Sequence, residues 1–427
     1  MIVSPAFAGR NYAVLGLARS GLAAAAALTA SGAKVVAWDD REEVRAEFAS
    51  NGGRVADPMS TALYGLDGII VSPGVPLNRH PIAARAKSAK VPVIGDVQLF
   101  AEARASLPAH KVVGITGTNG KSTTTALVHH LLQSAGIPSA TGGNIGLPIL
   151  SQDPLPEGGV YVLELSSYQI DLTHNLDCEV AILLNVTPDH LDRYDGMDDY
   201  AASKARLFAM QSPGHLAVLT ADDDFTRAIA GQLIGEKLLV ESKEMPGQAD
   251  WPSLQGPHNA QNVGAATAAA RALGVPESII AEGLASFAGL PHRMERVAEK
   301  GGILFVNDSK ATNPTSAAPA LAAYPAIHWI LGGRAKSHDL DACEPFFGHV
   351  RAAYTIGESG AAFAHLLAGK LPSVEHCETL DRAVISAAGS AAPGETILLS
   401  PACASFDQFR DYEARGDAFR AEVGKLP

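Results

Sequence analysis

Short β-branched or leucine-rich runs recur along the chain, each closed by a Gly, Ser, Asp or Asn cluster and followed by a stretch with helical spacing. That alternation predicts an α/β fold built on parallel sheets. A first group holds Tyr12–Gly16, Lys34–Trp38, Gly68–Ser72 and Val91–Ile94, and the spacing ends it near residue 95. A second starts at Val112–Thr116, continues through Val160–Leu165 and Val180–Asn185, and closes near the Gly289–Pro291 turn. A third holds Ile303–Asn307, His328–Leu331, Ala353–Ile356 and Thr396–Ser400. In open sheets of this kind ligands bind beyond the carboxyl ends of the strands, so the polar clusters that follow each run carry the candidate chemistry.

With 427 residues the chain is long enough for two or three domains. Its 45 acidic residues outnumber 33 basic ones for a net charge of −12, which argues against nucleic acid or an anionic membrane surface as a partner. Hydrophobic residues make up 47% and charged residues 18%, enough for large buried cores. Cys178, Cys343, Cys377 and Cys403 form no C-x-x-C pair, as expected for a reducing cytoplasm. Met1–Arg10 shows no basic region followed by an apolar core, and Leu22–Ala30 is too short to span a bilayer, so it reads as a core helix.

Four clusters stand out. After the first run, Gly16-Leu17-Ala18-Arg19-Ser20-Gly21 is a G-x-G-x-x-G turn with Ala18 in place of the second glycine, and Asp39 ends the next run. Ala18 disfavours the close approach of a dinucleotide pyrophosphate, which leaves nucleotide binding in general or tight strand-to-helix packing. Gly117-Thr118-Asn119-Gly120-Lys121-Ser122-Thr123 follows an apolar strand and opens a helix, the context of a P-loop. Successive N–H groups would face phosphates, Lys121 would reach the β- and γ-phosphates, and Ser122 would ligate Mg²⁺; Ile115 stands where the generic motif has its first glycine. Glu164 sits at the end of an apolar strand, where a carboxylate calls for a cation, and Asn185–Asp192 offers His190 as a second metal ligand or a turn residue. In the third group, Asp308–Pro314, Gly332–Lys336 and Ser400–Ser405 place Lys310, Lys336, Thr312 and Ser405 at strand ends, suited to a small anion or simply to solvent.

As a set these residues resemble the Mur ligase family, over nearly the whole chain. The resemblance is carried by Gly117–Thr123, Gly143–Gly146, Glu164–Gln169, Asn185–Tyr194, Gly289–Arg293, Asn307–Asn313 and Ser400–Phe409, and the unusual P-loop spacing is the family's own. Glu164–Gln169 and Ser400–Phe409 are similar to the members that add D-glutamate. Tyr412 stands where those have Phe, and Gly235–Gly256 is shortened. The resemblance implies three domains: a Rossmann-like one at 1–95 for the UDP end of UDP-N-acetylmuramoyl-L-alanine, a central P-loop ATPase-type one at 96–289, and a Rossmann-like one at 290–427 for D-glutamate. It implies ATP and Mg²⁺, an acyl-phosphate intermediate, and a monomer in the cytoplasm without nucleic acid or membrane insertion. It places Lys121, Glu164, His190 and a carbamate on Lys204 in catalysis, with Ser122, Glu164, His190 and Lys204 about the metal ions. His258, Asn259, Arg293 and Asp308 would contact ATP. Leu17, Ala18, Arg19, Asp39, Gly74 and Asn144 would hold the UDP-sugar, and Thr312, Lys336, Ser405 and Tyr412 D-glutamate. Taken locally, Lys204 reads as an exposed helical lysine. A sister ligase for another amino acid, an NAD-dependent dehydrogenase and a non-enzymatic nucleotide-binding protein are the rival readings.

Overall fold

A computed structural model describes the chain apart from residues 190–191, 242–244 and 336–338 and the side chain of residue 258. The chain divides into two compact units, 1–243 with 261–284, and 244–260 with 285–427. The first holds two sheets and the second holds one.

The amino-terminal sheet is parallel throughout, in the order Lys34–Trp38, Asn11–Leu15, Gly68–Val71, Val93–Ile94. The expected strand at Val91 pairs only over its last two residues. Leu22–Ala30 lies inside the helix Arg19–Ala30, whose Ala24, Ala25, Ala27 and Leu28 are buried as a core helix requires. The central sheet is also parallel, in the order Lys237–Val240, Leu216–Thr220, Val180–Leu183, His110–Thr116, Gly159–Glu164, Ser139–Gly143. The chain leaves the middle strand, His110–Thr116, and returns on either side of it, so the crevice at its carboxyl end is the switch point at which such sheets bind ligands. Buried side chains run without a break from Phe7 and Leu28 through Phe100 to Leu150, Tyr161 and Leu207, joining both sheets of this unit in one core.

The sheet of the second unit has the order Glu295–Lys300, Ile303–Asn307, Thr396–Leu399, Ile327–Gly332, Val350–Ile356, Val374–Glu378. Only Glu295–Lys300 runs antiparallel, at one edge. Its two faces bury separate cores, one around Trp329 and Phe363, the other around Tyr354 and Phe419. No described helix is long and apolar enough to cross a membrane.

Candidate active site

The glycine-rich turn lies between the strand His110–Thr116 and the helix Lys121–Ser134, with Gly120 capping the helix. Gly117 and Gly120 have φ of +150° and +83°, conformations that side chains resist. A Cβ on Gly120 would stand 2.2 Å from Asn262 Oδ1, which accepts from Thr124 Oγ1 at 3.2 Å. The loop is held from the neighbouring strand end: Thr118 N–H donates to the Asn185 carbonyl at 2.9 Å and Asn119 N–H to Asn185 Oδ1 at 2.8 Å. Asn185 Nδ2 in turn donates to Gln261 Oε1 at 2.8 Å, and Gln261 Nε2 to Asp222 Oδ2 at 2.6 Å. Lys121 Nζ donates to the carbonyls of Gly117 and Thr118 at 2.9 and 2.7 Å. The loop is thus built before any phosphate arrives, with its lysine at its rim.

Glu164 ends the adjacent strand, in register with Ile115, and is 2% exposed. Its Oε2 accepts from Ser122 Oγ at 2.5 Å and its Oε1 from Asn144 Nδ2 at 2.9 Å. Asn144 N–H also donates to the Glu164 backbone carbonyl at 2.8 Å, an approach that leaves room only for glycine at Gly143. Among the described residues no Lys, Arg or His is paired with Glu164. A buried carboxylate supported by a hydroxyl and an amide could hold a hard divalent cation.

Lys204 faces the same turn from the helix Met197–Ala209 and is 1% exposed, which overturns the local reading of an exposed helical lysine. Its Nζ donates to the Gly117 carbonyl at 3.0 Å and lies 4.4 Å over the Tyr200 ring. Burial, and then the charge of Lys121, hold the amine well below its ordinary pKa, against a smaller upward pull from Asp189 and Asp171. His190 lies outside the described residues.

At the amino-terminal sheet, Asp39 Oδ2 accepts from Leu17 N–H at 2.8 Å, and Oδ1 from the backbone and Nε of Arg41 at 3.1 and 3.0 Å. Arg41 above all holds the carboxyl down at about 2. Gly16 has φ +91°, and a Cβ on Gly21 would stand 1.8 Å from the Gly16 carbonyl, so these two glycines serve the close packing of strand and helix. Exposed Ala18 and Arg19 start that helix, and Arg19 Nη2 donates to the Gly146 carbonyl at 2.9 Å.

In the second unit Asp308 follows the strand Ile303–Asn307 and accepts from Ser400 Oγ at 2.8 Å and Met294 N–H at 3.2 Å. Burial raises its pKa to about 7 despite Arg293 and Arg415 nearby. Lys310 Nζ stands 3.7 Å over the Tyr412 ring, Ser405 is buried, and Thr312 is half-buried. Lys336 lies outside the described residues, as does the side chain of His258; Asn259 is buried, its Nδ2 donating to the Gln255 carbonyl at 3.0 Å.

Two groups of polar residues escaped the sequence reading. Gln261 and Asn262 are buried in the alanine-rich helix Pro257–Ala272, and polar side chains in so apolar a helix were a usable signal. Arg415 is buried with Nε on Ser309 Oγ at 3.0 Å and Nη2 on the carbonyls of Ser309 and Cys403 at 2.8 and 3.0 Å, and nothing in its local sequence marks it.

Three family models match successive parts of the chain: the Mur ligase MurD-like N-terminal domain over residues 10–95, the Mur ligase middle domain over 115–252, and the Mur ligase glutamate ligase domain over 292–403. The chain belongs to the Mur ligase family. Among Mur ligases it is 62% identical to the UDP-N-acetylmuramoylalanine–D-glutamate ligase of Novosphingobium aromaticivorans, over 100% of this chain and 97% of that one. It is 59% identical to the ligase of the same name from Sphingopyxis alaskensis, over 100% of both chains. The crystal structure of the Mur ligase UDP-N-acetylmuramate-alanine ligase from Thermotoga maritima is similar with a TM-score of 0.60 at 18% identity, covering 97% of this chain and 100% of that one, a likeness of fold.

Proposed function

We infer that this protein is an ATP-dependent amide-forming ligase that adds D-glutamate to UDP-N-acetylmuramoyl-L-alanine in peptidoglycan precursor synthesis. The observation that carries the reading is the preformed phosphate loop with Lys121, Ser122, Glu164 and Lys204 gathered about it. The full-length identity to ligases of that name supports the choice of amino acid.

The alanyl carboxylate of the UDP-sugar attacks the γ-phosphorus of ATP, one P–O bond forms, the bond to ADP breaks, and an acyl phosphate results. The amine of D-glutamate then attacks the acyl carbon; the amide forms, inorganic phosphate leaves, and the amine gives up a proton. An anion approaching a triphosphate needs positive charge and donors already in place, which Lys121 and the N–H groups of Gly117–Thr123 supply. Ser122 and Glu164 would hold Mg²⁺, with His190 and Lys204 as further members of the set. Bound there, Mg²⁺ neutralises phosphate charge. The buried amine of Lys204 is suited to take up CO₂ as a carbamate, which would turn a cation beside the loop into an oxygen donor.

The remaining roles follow the sheets. Leu17, Ala18, Arg19, Asp39 and Gly74 hold the UDP end, supported by the anchored turn at Asp39, and Asn144 the sugar-peptide. Asn259, Arg293 and Asp308 serve ATP, with His258; Thr312, Ser405 and Tyr412, with Lys336, serve D-glutamate. Four buried free thiols are in keeping with the cytoplasm. Phosphate release from ATP should require UDP-N-acetylmuramoyl-L-alanine and D-glutamate together. Release with either alone, or with L-alanine or a diamino acid in place of D-glutamate, would refute the reading.

A further inference from the structure

Away from the phosphate loop, the first unit carries a second knot of contacts, between the loop after the strand Gly68–Val71 and the segment after Val180–Leu183. Arg193 donates from Nη1 to the Val75 carbonyl at 3.1 Å, and from Nη2 to the carbonyls of Gly74 and Pro73 at 3.2 and 3.4 Å. Asn78 Nδ2 and Arg79 Nη2 return two further bonds to the Asp192 carbonyl, at 3.0 and 3.2 Å. All of these acceptors are neutral carbonyls, so the knot depends on geometry more than on charge.

The guanidinium is held flat from the other side, 4.5 Å over the Tyr168 ring. Tyr168 stacks on Tyr194, with ring centres 6.0 Å apart and planes at 10°, and Tyr194 donates to Asp171 Oδ2 at 2.9 Å. Tyr194 lies 5.2 Å from Tyr200, whose hydroxyl is 3.3 Å from Thr118 Oγ1 in the phosphate loop. A chain of contacts therefore runs from the Pro73–Val75 carbonyls to the phosphate loop. Beside it lies a cavity of about 400 Å³ bordered by Val75, Tyr168, Arg193 and Tyr194.

The orientation of the loop follows from this grip. In a trans peptide the carbonyl and the N–H point opposite ways, so turning the Pro73 carbonyl toward Arg193 turns the Gly74 N–H away from it. Among the described residues nothing lies within 4 Å of where a Cβ on Gly74 would be, so a ligand can approach the backbone there.

We propose that Arg193 is a positioning residue for the UDP-sugar: it sets the Pro73–Val75 loop so that the Gly74 N–H meets the diphosphate, and it ties that loop through Tyr168 to the phosphate loop. The proposal rests on the function given above. Only a planar fork reaches three successive carbonyls while stacking on a ring, so lysine is a partial substitute at best.

The test is calorimetric binding of UDP-N-acetylmuramoyl-L-alanine together with steady-state kinetics, on the whole chain. Arg193→Ala should weaken binding and raise the KM of the UDP-sugar by about ten- to a hundredfold, the scale of a misplaced contact. The KM of D-glutamate should stay within about twofold and kcat within about threefold, well below a tenfold effect. Arg193→Lys should recover part of the affinity. A folded Arg193→Ala with unchanged UDP-sugar affinity, or a Lys variant no better than Ala, would overturn the proposal. If Arg193→Ala does not fold, Arg193→Lys decides: wild-type affinity there refutes the need for the fork. Wild type that binds the UDP-sugar yet fails to release phosphate with D-glutamate would refute the function and leave the binding comparison standing.

Discussion

Lys121 and Lys204 donate to the same carbonyl oxygen, that of Gly117, at 2.9 and 3.0 Å. Two ammonium groups on one acceptor repel, and the more deeply buried of the two yields its proton more readily. That is Lys204, whose pKa is lowered first by burial and then by Lys121. A neutral amine is the form that captures CO₂, and the carbamate that results reverses the sign of the side chain.

It follows that Lys204→Ala should fold and lose at least about a hundredfold in kcat, the scale of a missing electrostatic contact. Added acetate or another short carboxylate should restore part of the turnover by filling the vacated space with oxygens. Lys204→Arg should show no rescue, because the guanidinium keeps the positive charge in place. Full activity of Lys204→Ala in buffer stripped of CO₂ and carboxylates would leave the residue with a packing role alone.

Lys121 has a different fate. It is half-buried at the rim of the loop and its carbonyl partners remain in place without it, so Lys121→Ala should melt within about 2 °C of wild type, a change well under 1 kcal/mol. Turnover should nonetheless fall by about a hundredfold or more, since a charge that acts on the transferring phosphoryl group is worth about 3 kcal/mol. Near-normal kcat in a folded variant would remove Lys121 from the reaction.

How much of this was readable beforehand depends on where the physics resides. The phosphate loop was legible because its glycines, lysine and hydroxyl lie within one short stretch, and the buried runs of the parallel sheets were legible as apolar clusters. The edge strands were not: Lys237–Val240 is apolar but only four residues long and largely exposed, Val374–Glu378 is largely exposed and carries little apolar signal, and Ser139–Gly143 has no large apolar residue. Glu295–Lys300 sets Val297 and Ala298 between two pairs of charged residues, as an antiparallel edge permits. Leu216–Thr220 is apolar enough to have been assigned and was passed over. The burial of Lys204 could not be read locally, because its partner Gly117 lies 87 residues away in the chain. Arg193 was in view only as part of a longer motif, since its three acceptors belong to a loop more than a hundred residues earlier.

Glu164 offers a test of the metal assignment that separates it from folding. Glu164→Gln keeps the size of the side chain, its one amide oxygen can still accept from Asn144 while its NH₂ donates to the Ser122 hydroxyl, and it removes a buried charge that no described cation balances. Its melting temperature without nucleotide should therefore equal or exceed that of wild type. The Mg²⁺ concentration for half-maximal activity should rise at least about tenfold, equivalent to about 1.4 kcal/mol of lost binding. An unchanged Mg²⁺ dependence would show that the carboxylate is not a ligand.

Asp308 makes a prediction about pH. Its carboxyl is buried, and among the described residues the Ser400 hydroxyl at 2.8 Å and the Met294 N–H at 3.2 Å donate to it, so desolvation raises its pKa from 3.8 to about 7. Between those values the folded chain binds a proton that the unfolded chain does not. The stabilisation linked to that proton is complete below about 3.8 and is lost as the pH rises through about 7. Asp308→Asn is neutral throughout and carries no such dependence. The stability of wild type relative to Asp308→Asn should therefore fall as the pH climbs, by at most about 4 kcal/mol over the whole interval from 3.8 to about 7. Thermal melts of both proteins at about pH 5 and about pH 8 measure the change directly, because ionisations common to the two cancel in the difference. A melting-temperature difference that stays constant, or that moves in favour of wild type on the alkaline side, would mean that the carboxyl is ionised throughout and that Arg293 and Arg415 outweigh its burial.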